Sequence, residues 1–229
     1  MVSSPASSPV QVRCQGILFD MDGILISSLG SVERSWTKWA HMRGLEPSYV
    51  LGLIHGRRAI ESVAMLRPDL NPVEELNLIE DIELADGEGI TVLPGVKELL
   101  DVLPNDRWTV VTSATERLAR MRLAASGFTV PERLVTADTV TEGKPNPAPY
   151  LAGATLLGFA PEECVVFEDS AYGVAAGCAA GCIVVATTFS HEAEHLECAN
   201  YLVRDLTGMV AGVLPNAEGL TLQFTPLER

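Results

Sequence analysis

Short apolar runs alternate with segments of helical character over the second half of this sequence. The apolar runs occupy residues 108–111, 134–135, 164–167, 183–186 and 201–203, and a further run, 17–19, lies near the N-terminus. Helical periodicity or small-residue composition marks 95–103, 116–126, 149–157 and 173–180 between them. Strands that alternate with helices indicate a parallel sheet with right-handed crossover connections. We therefore expect an α/β fold, with 220–224 as a further edge strand.

An insertion separates the first apolar run from the second. Residues 30–88 have little strand character, and apolar residues recur three and four positions apart at 31–43, 58–66 and 73–84, which predicts a small helical bundle. We expect three parts: a flexible tail at 1–13, a sheet core from 14–28 plus 92–229, and an inserted helical cap at 29–91.

Charge and cysteine usage exclude several classes of protein. The formal net charge of −14 argues against nucleic-acid binding, which needs a basic face. No apolar run reaches the length of a membrane span, and the N-terminus lacks the pattern of a signal peptide. The five cysteines form no CxxC pair. We therefore expect a cytoplasmic protein with reduced thiols. We also expect it to be a monomer that acts on a small molecule.

Polar side chains follow three of the apolar runs at the point where each run ends. Asp20 and Asp22 follow the first run, Ser113 follows the second, and Glu168 with Asp169 follows a later one. Parallel strands bring their carboxyl ends to one edge of a sheet, where ligands bind. These side chains are therefore expected to meet at one site.

The chemistry of this set favours phosphoryl transfer. Four carboxylates at one edge repel each other unless a hard cation such as Mg²⁺ binds them. Ser113 supplies a hydroxyl, its own amide and that of Ala114 are suited to an anion, and Lys144 in the GKP segment supplies a positive charge. A carboxylate nucleophile would form an aspartyl-phosphate, which divides one difficult displacement into two easier ones.

Four short motifs resemble those of the haloacid dehalogenase superfamily of phosphohydrolases. The motifs are DMDG, VVTS, GKP and VVFED, in the family's order, and the resemblance covers nearly all of 16–189. It implies a Rossmann-like core with a small helical cap. HGRR at 55–58 and ATTF at 186–189 are similar to segments of fungal glycerol-phosphate and 2-deoxyglucose-phosphate phosphatases.

The resemblance implies a role for each acidic residue. Asp20 would be the nucleophile and a Mg²⁺ ligand. Asp22 would protonate the leaving alkoxide and then activate water, while its backbone carbonyl contacts the metal. Asp169 would be a metal ligand, and Glu168 a ligand or an outer partner of one.

The remaining predicted site residues would hold the substrate. Ser113, Ala114 and Lys144 would bind the phosphoryl oxygens. In the cap, His55 and Arg58 would reach an anionic or hydroxylated substrate, because a planar guanidinium suits phosphate and sugar hydroxyls. The expected activity is Mg²⁺-dependent hydrolysis of a small sugar or polyol phosphate.

Other activities receive less support from the sequence. The family usually has Thr where this chain has Ile24. This difference affects the expected rate more than the reaction type. It gives little support to another alternative, a binding protein with an inactive site. A dehalogenase is disfavoured because expulsion of halide does not need Asp22. The main alternative is a phosphomutase of the β-phosphoglucomutase type, but such mutases carry a histidine at the position that matches Val32.

The segment HEAEH at 191–195 matches the HExxH pattern of zinc proteases. No convincing third ligand follows it. We expect a surface helix capped by Ser190 and lying away from the converging strand ends.

Overall fold

The computed structural model describes residues 8–54, 58–86, 88–127, 130–215 and 218–228. Its strands are β1 (Val10–Cys14), β2 (Gly16–Phe19), β3 (Ile26–Ser27), β4 (Thr91–Val92), β5 (Trp108–Val110), β6 (Cys164–Glu168), β7 (Ile183–Thr187), β8 (Tyr201–Val203), β9 (Val210–Val213) and β10 (Leu220–Phe224). Its α-helices are α1 (Leu29–Met42), α2 (Pro47–Ile54), α3 (Ala59–Leu66), α4 (Pro72–Asp86), α5 (Val96–Leu100), α6 (Glu116–Ser126), α7 (Ala148–Leu157) and α8 (Ala171–Ala179).

A five-stranded parallel sheet forms the core, in the order β5-β2-β6-β7-β8. Successive residues of β2 belong to two apolar clusters on opposite faces of the sheet. Phe19 packs with Ala119 and Leu123 of α6, whereas Leu18 packs with Tyr150 of α7. Because both faces are covered, the strands are continuous apolar runs rather than alternating ones. The predicted Rossmann-like α/β class is confirmed.

A second, antiparallel sheet has the order β1-β10-β9. The expectation of a flexible tail through residue 13 is wrong for the strand β1, in which Val12 and Cys14 are buried. The predicted strand at 220–224 does form, but β10 lies at the centre of this small sheet and not at the edge of the parallel one. Val12 and Leu222 pair across the two strands and are both buried, so alternation places one apolar face of each strand on the core.

The helices α1–α4 enclose an apolar cluster of their own. Trp36 and Trp39 pack edge to face with ring centroids 5.4 Å apart, and Val63 and Ile79 join them in the cluster. Helix α4 begins at Pro72, whose fixed φ and missing N–H are tolerated in a first turn. The helix α2 was not predicted. Whether 29–91 behaves as a separate domain stays a prediction.

The helices α1–α4 form one helical segment, and the chain enters and leaves it through a two-stranded ribbon. Strand β3 precedes α1, strand β4 follows α4, and the two pair antiparallel with Ile26 opposite Val92. Among the described residues, no helix is long and apolar enough to cross a lipid bilayer.

Candidate active site

The carboxyl ends of three neighbouring strands meet at one cavity of about 160 Å³. Asp20 and Asp22 follow β2, Ser113 follows β5, and Asp169 follows β6. These four residues line the cavity together with Ala114 and Lys144. The structure therefore brings together the side chains that the parallel-sheet argument predicted to meet.

Lys144 lines this cavity with only 5% of its surface exposed. Its Nζ donates hydrogen bonds to Asp20 Oδ1 at 2.6 Å, to Glu168 Oε1 at 2.6 Å and to the Val111 carbonyl oxygen at 3.1 Å. Burial alone would lower the pKa of Lys144, but the two carboxylates raise it above its ordinary value. The lysine is therefore a fixed positive charge that orients the Asp20 carboxylate.

Glu168 is fully engaged by donors. Its Oε1 accepts hydrogen bonds from Lys144 and from the Tyr150 hydroxyl at 2.7 Å. Its Oε2 accepts from the amides of Asp169 at 2.9 Å and Ser170 at 3.0 Å, and from the Ser170 hydroxyl at 3.1 Å. Burial opposes ionisation, yet Lys144 and these donors hold the pKa of Glu168 below its usual range. The arrangement favours the outer-partner role over direct metal binding.

Asp20, Glu168 and Asp169 offer carboxylate oxygens that lie within 4.8 Å of one another. Burial raises the pKa of Asp20 to about 7, which Lys144 opposes and Glu168 reinforces. Burial, with Glu168 and Asp20 nearby, raises the pKa of Asp169 well above its ordinary value. Three buried carboxylates facing one ammonium carry an excess of negative charge. An oxygen-binding divalent cation such as Mg²⁺ fits the carboxylate oxygens of Asp20 and Asp169, with Glu168 beside them.

Two glycines make room for these carboxylates. Gly23 has φ of 84°, and a β-carbon there would lie 1.8 Å from Asp169 Oδ2. A β-carbon at Gly173 would lie 1.6 Å from Glu168 Oε1. Both positions require glycine because the backbone itself forms part of the wall around the acidic cluster.

Asp22 is held by two donors that sequence reasoning missed. Ser28 Oγ donates to Asp22 Oδ1 at 2.5 Å, and Arg122 Nη1 donates to Oδ2 at 2.7 Å. Arg122 also donates to Glu83 of α4, from Nε at 2.8 Å and from Nη2 at 2.5 Å. The sequence does contain an indication of this pairing. Arg122 lies on the same apolar face of α6 as Leu118, and an arginine at such a position needs a buried partner.

Ser113 and Ala114, predicted to bind phosphoryl oxygens, both line the cavity. The Ala114 amide donates to Thr112 Oγ1 at 3.1 Å, so in this structure it is engaged within its own loop. Their binding of an anion stays a prediction.

The loop after β7 also reaches the cavity, which corrects the expectation for 190–195. Phe189, Ser190 and His191 line the cavity, and the Ser190 hydroxyl donates to Asp169 Oδ2. The segment forms only a 3₁₀ turn at Ala193–His195, and not the expected helix. Placing it away from the converging ends was wrong, because β7 runs parallel to β6 and its following loop lies at the same sheet edge.

Arg58 makes contacts other than those expected of a substrate ligand. Its guanidinium donates to the carbonyl oxygens of Ala137 and Thr141, the latter at 3.0 Å, and it is not among the residues that line the cavity. A β-carbon at Gly143 would lie 2.4 Å from Arg58 Cδ, so the arginine packs against the loop that precedes Lys144. His55, the other predicted cap ligand, lies outside the described residues.

Comparison with known proteins defines the family. The family model for haloacid dehalogenase-like hydrolases matches residues 14–181. Hexitol phosphatase A of Escherichia coli is 42% identical over 212 residues, which cover 90% of this chain and 98% of that protein. Glycerol-1-phosphate phosphohydrolase 2 of Saccharomyces cerevisiae is 34% identical over 197 residues, which cover 80% and 79% of the two chains. The chain belongs to the haloacid dehalogenase-like hydrolases.

A solved structure supports the same fold. The β-phosphoglucomutase of Clostridium difficile superposes with a TM-score of 0.70 at 22% identity, covering 84% of this chain and 92% of that one. At this identity the likeness shows the fold alone. The predicted resemblance to sugar-phosphate phosphatases of this superfamily is confirmed by the relatives, and the chain is an enzyme of the phosphoric monoester hydrolase class.

Proposed function

We propose that this enzyme is a Mg²⁺-dependent phosphatase that hydrolyses a small sugar or polyol phosphate through an aspartyl-phosphate intermediate. The observation that carries the proposal is the position of Asp20, which lines the cavity at the end of β2, is fixed by Lys144 and lies beside two further buried carboxylates. The named activities of the hexitol and glycerol phosphate relatives support the substrate class.

In the proposed reaction Asp20 attacks phosphorus and the leaving oxygen takes a proton from Asp22. Lys144 keeps the Asp20 carboxylate in one orientation and offers positive charge to the transferring phosphoryl group. Asp22 then removes a proton from the water that hydrolyses the aspartyl-phosphate, so one residue serves as acid and then as base. Ser113, which also lines the cavity, holds a phosphoryl oxygen.

Asp20, Asp169 and the backbone carbonyl of Asp22 would hold the Mg²⁺ ion, with Glu168 and Ser190 orienting them. When bound, the ion neutralises charge on the phosphoryl group and on the carboxylates that face it. Without such a cation Asp20 has a pKa of about 7 and is half protonated near neutrality. Glu168, held ionised by its donors, keeps Lys144 in place.

The shape of the cavity limits the substrate. Leu29, Val32 and Ile54 of the helical segment form part of its wall, and Phe189 of the core also lines it. The Nδ1 atom of His191 is buried and has no hydrogen-bond partner within the described ranges. We infer that the residues 29–91 act as a cap that selects small substrates, with His191 available to a substrate hydroxyl.

Val32 distinguishes hydrolysis from the mutase alternative. It lies on the cavity wall. By the family resemblance, this position corresponds to the one where the mutases carry histidine. An aliphatic side chain cannot transfer a proton to or from a second sugar hydroxyl. The proposal of a hydrolase is therefore preferred.

The thiols are consistent with a cytoplasmic location, which we also propose. All five cysteines are free. Burial raises the pKa of Cys14 and Cys164 to about 12, so both behave as inert thiols within the core.

A phosphate-release screen tests the proposed function. The purified enzyme is assayed against hexitol, hexose, glycerol and glycolate phosphates, with Mg²⁺ or with excess chelator, and in the absence of any sugar bisphosphate. We expect Mg²⁺-dependent release of phosphate from polyol or sugar phosphates. Interconversion of hexose phosphates with little free phosphate would identify the mutase instead, and full activity in chelator would overturn the metal assignment.

A further inference from the structure

Arg122 connects the predicted acid–base residue to the helical segment. It projects from α6 of the core with 5% of its surface exposed. One side of its guanidinium donates to Asp22 at 2.7 Å, and the other donates twice to Glu83, at 2.5 and 2.8 Å. Glu83 lies on α4 and is 1% exposed. A single buried arginine is therefore shared between a core carboxylate and a cap carboxylate.

These contacts define a resting position for Asp22. Both of its carboxylate oxygens accept hydrogen bonds, Oδ1 from Ser28 and Oδ2 from Arg122. These two donors, one on each oxygen, fix the orientation of the Asp22 carboxylate. A turn of this side chain toward a leaving oxygen breaks its contact with Arg122.

Glu83 is the second carboxylate partner of Arg122 and keeps it paired when Asp22 turns away. A guanidinium buried without a partner is strongly unfavourable. Because Glu83 binds Arg122 through two N–H groups, the arginine keeps a carboxylate partner when Asp22 moves away. If Glu83 carried no charge, Asp22 would be the remaining carboxylate on Arg122 and would be held more tightly.

We propose that Arg122 and Glu83 are positioning residues for the acid–base step, a proposal that rests on the proposed role of Asp22. Arg122 sets the position in which the Asp22 carboxylate waits. Glu83 releases Asp22 from that position by sharing the charge of Arg122. Since Glu83 belongs to α4, docking of the helical segment on α6 is coupled to the proton donor as well as to substrate selection.

The same two helices provide a matched control. Arg117 of α6 donates to Asp81 of α4 at 2.7 Å. Both side chains of this second ion pair are at least half exposed, and neither contacts Asp22 among the described hydrogen bonds. Glu83→Gln and Asp81→Asn therefore remove one charge each from the same helix–helix contact, and only the first acts on the guanidinium that holds Asp22.

The test compares two leaving groups. An alkoxide from glycerol phosphate or sorbitol phosphate needs a proton as it departs, whereas nitrophenolate from nitrophenyl phosphate does not. The value of kcat/KM reports the steps up to the first irreversible one and so isolates proton donation from the later use of water. We expect Glu83→Gln to lower kcat/KM about tenfold for the alkyl phosphates and less than about twofold for the aryl phosphate. Asp81→Asn should leave both within about twofold.

Arg122→Lys is the second variant, because it keeps a buried positive charge but cannot bridge both carboxylates with a planar fork. It should show the same selective loss, with thermal unfolding confirming that both variants are folded. Equal losses on alkyl and aryl phosphates, or no loss in Glu83→Gln, would overturn the proposal and leave a purely structural ion pair.

These experiments also distinguish an error in the proposed function from an error in the roles of Arg122 and Glu83. The wild-type enzyme must first release phosphate from an alkyl phosphate, and Asp22→Asn must abolish that release. If either condition is not met, the role assigned to Asp22 is wrong, whatever the Glu83 variant does.

Discussion

Gly173 faces the carboxylate of Glu168 so closely that a β-carbon at position 173 would lie 1.6 Å from Oε1. The contact arises because α8 begins shortly after β6. Ser170 is the N-cap of this helix, and its Oγ accepts a hydrogen bond from the Gly173 amide at 3.0 Å. The first turn of α8 therefore encloses the acid that holds Lys144, and the backbone of Gly173 sets the position of that acid.

Gly173→Ala should destabilise the protein by about 1–3 kcal/mol, since the methyl group can be accommodated only by displacing a buried, fully hydrogen-bonded carboxylate. It should also lower kcat, because displacement of Glu168 disturbs one of the two carboxylates that hold Lys144. Denaturant unfolding and steady-state kinetics measure the two effects.

The matched substitution is Gly52→Ala in α2, where a β-carbon meets nothing within 4 Å. It should stabilise the protein by roughly 0.5–1 kcal/mol, as expected for alanine within a helix. A Gly173→Ala enzyme with wild-type stability and rate would show that Glu168 is not constrained as described.

Asp20→Asn should reduce phosphate release to background while the fold is kept, because an amide cannot attack phosphorus to give an acyl phosphate. Circular dichroism and thermal unfolding check the fold, and acid quenching of the wild-type enzyme with labelled substrate should trap phosphate on the protein, a signal that Asp20→Asn lacks. Ordinary turnover by this variant would exclude the aspartyl-phosphate route.

The stability of the metal-free enzyme should fall as pH rises from about 4 to about 7. Asp20 has a pKa of about 7 in the folded protein against 3.8 for the free side chain. Between these values the folded state keeps a proton that the unfolded chain has lost, so the free energy of unfolding decreases with increasing pH. Tm measured in chelator across this range tests the slope.

Added Mg²⁺ should therefore raise Tm more at about pH 8 than at about pH 5.5, because its ligands must be ionised. Asp20→Asn, which cannot titrate there, should have a smaller slope in chelator. A flat or rising Tm profile for the metal-free wild type, matching that of Asp20→Asn, would contradict the raised pKa.

Arg58→Ala should lower kcat/KM about tenfold on sugar and aryl phosphates alike, because Arg58 joins the helical segment to the core through backbone carbonyls. Arg67→Ala is the control, since Arg67 donates to Asp69 and to the Arg43 carbonyl within the helical segment. A loss confined to the sugar phosphate would instead support the substrate contact that the sequence predicted.

The core and its acidic residues were predictable because each depends on a local pattern. An apolar run of four or five residues defines a buried strand, and the polar residue after it must lie at the sheet edge. That argument places Asp20, Ser113 and Asp169 without any knowledge of long-range contacts.

The contacts missed by sequence reasoning join residues that are distant in the chain. Arg122 and Glu83 are 39 positions apart, and their pairing depends on how α4 docks on α6. Strand β1 pairs with β10 across almost the whole chain, so its alternation in VQVRC had no visible partner beside the Ser- and Pro-rich start. The composition that follows Ser190 predicts a helix, whereas the strand that precedes Ser190 decides its position.

The ribbon of β3 and β4 has a consequence for protein engineering. Because Ile26 and Val92 are paired neighbours, the whole helical segment begins and ends at one point on the core. A chimaera could therefore receive a different helical segment between these strands without stretching the chain. Such an exchange would transfer the substrate preference of the new segment together with the residue that it carries in place of Glu83. Chimaeras without an acidic residue at that position should bind the new substrate but turn it over slowly.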